Sequence, residues 1–311
     1  MNTPSNAVPE SPLDPQGIAP AAMSPTRPLY WSIRRELWEN RSIYIAPLVV
    51  AGVVLLGFLV ATIGRAMATV DTARKAAVLA ETNTFAAGVI IATAFVVAVF
   101  YCLDALHGER RDRSILFWKS LPVSDLTTVL SKASIPLVVL PLIAFAIVLA
   151  TQLTMLLLST AVLLMSGLSA ATSTPWAQMP LVLLYGLITL ALWHAPIYGW
   201  LLLVSGWARR ATFLWAVLPL IAVQIVEKIA FNTSYFGSML KYRFVGGMSE
   251  AFAHQPHHSV PNQSQHSFPI VDLSQLTPGN FLSTPGLWIG LAFAAAFLAA
   301  AVRLRRYQGP I

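Results

Sequence analysis

The sequence predicts an all-α integral membrane protein: six transmembrane helices, an N-terminal amphipathic surface helix and a cytoplasmic helical loop. Three observations carry this. Of 311 residues 56% are hydrophobic and 11% charged, with a mean hydropathy of +0.67, whereas a soluble domain carries about 25% charge. Six apolar runs reach or approach the ~20 residues a helix needs to cross the hydrocarbon. Lysine and arginine, which give a net charge of +7, fall mainly to one side of those runs.

Residues 1–28 hold seven prolines and few bulky apolar residues. That composition cannot bury enough surface to fold and predicts a disordered tail. In YWSIRRELWENR, 30–41, Tyr30, Ile33 and Leu37 recur at helical spacing beside Trp31 and Trp38. Arg34, Arg35, Glu36 and Glu39 take the other side, and Arg35–Glu39 is an i,i+4 pair. This reads as a helix lying on the membrane with its tryptophans at headgroup depth. The plainer alternative is an extension of the first span.

Within a membrane domain of residues 29–306, the spans fall at about 43–64, 85–104, 134–158, 180–206, 211–231 and 286–302. With the N-terminus in the cytoplasm, inner segments hold fourteen of the twenty lysines and arginines: Arg27, Arg34, Arg35, Arg41, Arg110, Arg111, Arg113, Lys119, Lys132, Arg209, Arg210, Arg303, Arg305 and Arg306. Outer segments hold Arg65, Arg74, Lys75, Lys241 and Arg243, and Lys228 lies in span five. The bias puts both termini inside. Residues 232–285 form an outer loop too long for a turn. Its part 234–253 suits short helices or re-entrant pieces, and HQPHHSVPNQSQHS reads as irregular.

Several chemistries are excluded. No lysine follows a glycine, so there is no Walker A loop. No histidine precedes a glutamate, and GxSxG does not occur. Ser238–Lys241 fits S-x-x-K without its partner motifs. The single cysteine, Cys102, excludes an intramolecular disulfide. His254, His257, His258 and His266 could bind copper or zinc; a solvated polar loop accounts for them as well. Within the spans, His194 lies beside Pro196, where a freed carbonyl permits a kink or cavity wall. Gln152, Thr154 and Gln224 are further polar residues that could line a path.

The stretch GERRDRSILFWKSLPVSD, 108–125, forms most of the largest inner connection. Asp104, Glu109 and Asp112 interleave with Arg110, Arg111 and Arg113, and Leu116, Phe117 and Trp118 form an apolar knob. Leu121-Pro122-Val123 breaks the helix, and Ser124 or Asp125 can cap the next. Mixed charge with bulky apolar residues suits docking into a groove on a protein. An interfacial loop tucked among headgroups is the plainer reading.

Residues YCLDALHGERRDRSILFWKSLPVSD resemble the cytoplasmic loop of permease subunits of ABC-2 type ATP-binding-cassette transporters, and the architecture of about 30–306 is similar too. The resemblance implies a coupling loop touching a separate ATPase subunit, which would bind the ATP and Mg. This chain would hold no cofactor, metal or catalytic residue and bind no nucleic acid. Asp104, Glu109, Arg110, Arg111, Asp112, Arg113, Phe117 and Trp118 would contact that subunit, with Leu121, Pro122, Val123 and Ser124 as the turn. Trp31, Arg34, Arg35, Glu36 and Trp38 would belong to the connecting helix. A second permease subunit and a bacterial inner membrane complete the expectation, with export as the direction. A non-transporting scaffold is the rival reading. An ion- or proton-coupled carrier is disfavoured by the scarcity of buried ionisable groups in the spans.

Overall fold

The computed structural model describes residues 26–66, 72–120, 123–165, 178–252, 273 and 276–307. Most of the proline-rich tail, Leu121, Pro122 and the four outer histidines lie outside them. Among the described residues there is no strand, only an isolated antiparallel bridge between Phe252 and Leu276.

Helix α1, Thr26–Glu39, starts earlier than the expected 30, since Pro28 sits in the first turn, where a missing N–H is harmless. The long helices α2 (Ser42–Ala66) and α3 (Thr72–Ala105) follow. Two short helices, α4 (His107–Arg111) and α5 (Ser114–Ser120), make up the charged stretch. Arg113 turns the chain between them in a left-handed conformation, φ 59°, a geometry uncommon outside glycine. Helix α6, Asp125–Ser134, is capped by Ser124, whose Oγ accepts from the Thr127 N–H at 3.1 Å. It runs through a π-helical turn, Ile135–Val139, into α7, Leu140–Met165. Pro136 explains the wide turn: its ring has no N–H and crowds the carbonyl four residues back, and an extra residue in the turn relieves the clash.

Then come α8 (Met179–Trp207), α9 (Thr212–Phe231), α10 (Tyr235–Ala251), α11 (Pro278–Ser283) and α12 (Pro285–Tyr307). Six helical stretches are long and apolar enough to cross a membrane: Ser42–Thr62, Thr82–Arg111, Asp125–Ala161, Met179–Trp207, Thr212–Phe231 and Pro285–Tyr307. Each overlaps an expected span. The second and third are longer than expected because helix continues from the membrane into the charged segment.

Helix α8 is the axis of the bundle, packed by α12, α3, α10 and α7. Gly199 lets α12 close in, since a Cβ there would sit 3.2 Å from the Ala294 carbonyl, a small-residue contact typical of helices in lipid. By contrast α9 buries only Ala216 and turns Trp215, Leu218, Ile225 and Ile229 outward. That surface suits lipid, where apolar exposure carries no penalty.

Candidate functional site

Two places stand out: a cluster of polar side chains at the end of the bundle formed by α1, α4–α6 and the end of α12, and a mostly apolar cavity among α3, α7, α8 and α10.

At the first, Glu36 of α1 and Glu109 of α4 are 2% and 8% exposed. Lys132 of α6 reaches both, with Nζ 2.8 Å from Glu36 Oε1 and 3.2 Å from Glu109 Oε1. Arg35 pairs with the same two carboxylates at 2.9 and 3.2 Å. The Tyr101 hydroxyl donates to Glu36 Oε2 at 2.9 Å. Arg305, at the end of α12, pairs with Glu109 and with Asp125, the latter at 3.1 Å. Inside the cluster Glu36, Glu109 and Asp125 thus face three cations, while the exposed Glu39, 3.4 Å from Arg35, adds a fourth carboxylate at the rim. The neutrality inside makes the burial tolerable, because removing one member strands a desolvated charge. At the rim, partial burial raises the Glu39 carboxyl pKa, opposed by Arg35.

The α3–α4 junction is fastened to the last turn of α8. Ser205 Oγ accepts from the backbone N–H of Leu106 and of His107, at 3.0 and 2.9 Å. Arg110 donates to the Gly206 carbonyl at 2.6 Å. Glu109 and Arg110, expected among outward polar contacts, are therefore turned inward as anchors. Glu36, expected on the polar outer side of its helix, is likewise at the centre of the cluster. Polar residues of an isolated amphipathic helix face water, but Lys132 and Tyr101, supplied by other helices, give this carboxylate partners inside.

What the segment leaves outward is Asp104, Arg111, Asp112, Arg113, Leu116, Phe117, Lys119 and Ser120, with Phe117 59% exposed. Asp112 and Asp104 both pair with Arg111. Trp118 is half-buried beneath the Arg35 guanidinium, 3.7 Å from its ring centroid, and meets Phe117 edge-on. Val123 is half-buried and Ser124 exposed. On α1, Trp31 and Trp38 are exposed and flank Arg34, which lies 5.3 and 5.5 Å from their rings.

The cavity has a volume of about 300 Å³. Pro136 and Pro141 line it, so the π-helical turn helps make the room. Gln152 and His194, expected as path-lining residues, both border it, with Phe95, Tyr198 and Phe244. Pro196 is buried in α8 without bordering it, and α8 stays helical through it. Gln224 lies instead between α9 and α10, against Gly237. His194 joins α8 to α10: Nδ1 is 2.8 Å from the Leu190 carbonyl and Nε2 3.2 Å from that of Phe244.

Helix α10 is held in three further ways. Glu227 accepts from the Tyr235 and Phe236 N–H groups at 2.6 and 2.9 Å, capping its start. Gly247 lies on Trp193, where a Cβ would come within 2.7 Å of the ring. Arg243 donates to the Gly286 carbonyl at 2.9 Å. Nearby, partial burial and the Glu250 carboxylate that accepts its hydrogen push the Tyr242 hydroxyl up to about 12. Among the described residues no group of three or more His, Cys, Asp or Glu could hold a metal ion.

Sequence reasoning missed the buried cluster and the π-helical turn. Pro136 inside an apolar run was the available signal for the turn. Compared with known proteins, the chain matches no family model, no curated protein and no solved structure.

Proposed function

We propose that this chain is the membrane subunit of an ATP-driven transporter of the ABC-2 type, an exporter in the inner membrane with both termini cytoplasmic. A separate ATPase subunit would dock on the α4–α5 segment, and two permease chains would pair around the path. One observation carries the reading most: a segment with an outward face of mixed charge and bare aromatic surface is backed by a buried ionic cluster joining α1, α4, α6 and α12. A loop that merely rests on headgroups needs no such backing. A lever does, because a push on its outer face reaches the spans only if its rear cannot slip. The partner's unequal affinity for two arrangements of the lever would drive transport.

Co-expression with an ATP-binding-cassette ATPase of the same genome tests this. The pair should co-elute in mild detergent with vanadate-sensitive ATPase activity. Phe117→Ala with Arg111→Glu removes an aromatic anchor and reverses a charge on the outward face. Association should weaken by about thirtyfold or more, corresponding to an anchor of ~2 kcal/mol, while the thermal midpoint of the chain alone stays put. Undiminished co-elution of that variant would sink the docking assignment. Co-elution without any ATPase stimulation would favour the scaffold reading.

A further inference from the structure

The cavity has a shape and a chemistry that the docking segment does not explain. Its lining on α3 runs from Thr84 to Ala98, ~21 Å along a helix at 1.5 Å per residue. A volume of about 300 Å³ spread over that length is a slot. It falls at the small end of ligand pockets, which are mostly apolar with a few placed polar groups. Ala87, Gly88, Ile91, Leu183 and Leu187 give it aliphatic walls. A Cβ on Gly88 would meet nothing within 4 Å.

Among the described residues, none lining the slot carries a formal charge. His194 as a neutral imidazole has one N–H, which one of the two facing carbonyls accepts. Gln152 and Tyr198 differ. Each is 6% exposed and borders the slot, yet neither side chain makes a hydrogen bond among the described residues. An unpaired amide or hydroxyl inside a membrane protein is costly. Water needs two to four polar partners, which aliphatic walls withhold over most of the slot.

We propose that the slot binds an extended, uncharged, mainly hydrocarbon molecule with a hydrogen-bond-accepting oxygen, the chemistry of a long-chain alcohol or acyl ester. Gln152, the lining residue of α7 farthest from Pro136, donates to that oxygen, and the apolar walls take the chain. The absence of lining charge selects against fatty-acid anions and ammonium amphiphiles. Such a molecule is either the chain of a resident membrane lipid or an exchangeable ligand. The site belongs to this chain alone and involves no ATPase, so it stands or falls separately from the permease reading.

The test uses the full chain in detergent with a diazirine-bearing dodecanol as photoprobe. Label should map to lining peptides of α3, α7 and α8, and unlabelled dodecanol should compete better than dodecane. Gly88→Leu should abolish the labelling at an unchanged thermal midpoint. Gln152→Leu, which keeps the volume and removes the amide, should weaken dodecanol by roughly twofold to tenfold and leave dodecane unaffected. This second variant keeps the test alive if the first does not fold. In native mass spectrometry, a co-purified lipid displaced by dodecanol identifies a resident lipid; dodecanol binding to a lipid-free chain identifies an exchangeable ligand. Both outcomes support the site. Label spread along α9 and indifferent to the variants overturns it, as does equal competition by dodecane in the unmodified chain.

Discussion

Replacing Lys132 by methionine tests the buried cluster where its geometry is tightest. The ammonium lies 2.8 Å from Glu36 and 3.2 Å from Glu109, and its side chain is 3% exposed. Methionine keeps the length of the stem and removes the charge. Three cations facing three carboxylates become two facing three, with the excess negative charge out of water. Breaking a buried pair from one side costs about 3–5 kcal/mol. At roughly 2 °C per kcal/mol, the low end for chains of 150–250 residues, the midpoint should fall by ~6–10 °C. Adding Glu36→Gln restores neutrality, and the glutamine oxygen can still accept from Tyr101. The double variant should recover a large part of the loss. The assay is a double-mutant cycle on thermal midpoints in detergent. A Lys132→Met variant as stable as the parent, or a double variant whose losses simply add, would refute the argument that charge balance holds this end together.

Two further perturbations probe the anchors. Ser205→Ala leaves the Leu106 and His107 N–H groups without their acceptor, which should cost ~1–3 kcal/mol and speed hydrogen exchange of α4 ahead of the spans. Gly247→Val drives side-chain atoms into the Trp193 ring; α10 should leave α8, seen as new protease cuts between residues 235 and 251, while Gly57→Ala, where a Cβ meets nothing, should cut as the parent does.

The spans were legible because each is a local property: ~20 apolar residues in sequence suffice, whatever surrounds them. The Ser124 cap was legible for the same reason, being decided within three residues. The ionic cluster was not. Glu36 finds Tyr101 65 residues away and Lys132 96 residues away, and Glu109 finds Arg305 196 residues away. No periodicity on α1 distinguishes a glutamate that will be buried from one that will face water; only the assembled helices do. His194 was legible in part. Its neighbour Pro196 marked the stretch, but the Phe244 carbonyl that fixes its ring comes from an outer segment expected only to hold short helices or re-entrant pieces.

Helix α8 joins the two places. Ser205 and Gly206 in its last turn hold α4, while His194 and Tyr198 border the slot. From Ser205 back to Tyr198 is seven residues, ~10 Å of helix, and Gly199 between them locks that stretch against α12. Arg305 at the end of α12 returns to Glu109. The charged segment, α8 and α12 therefore close a loop of contacts. If the segment is a lever, its displacement passes along α8 to the slot. The opposite wall of the slot, the π-helical turn at Pro136, is the one interruption of regular helix between α6 and α7. A ligand filling the slot would stiffen this wall, so occupancy and lever movement should oppose each other, and dodecanol should slow the ATPase of the assembled complex in the parent but not in Gly88→Leu.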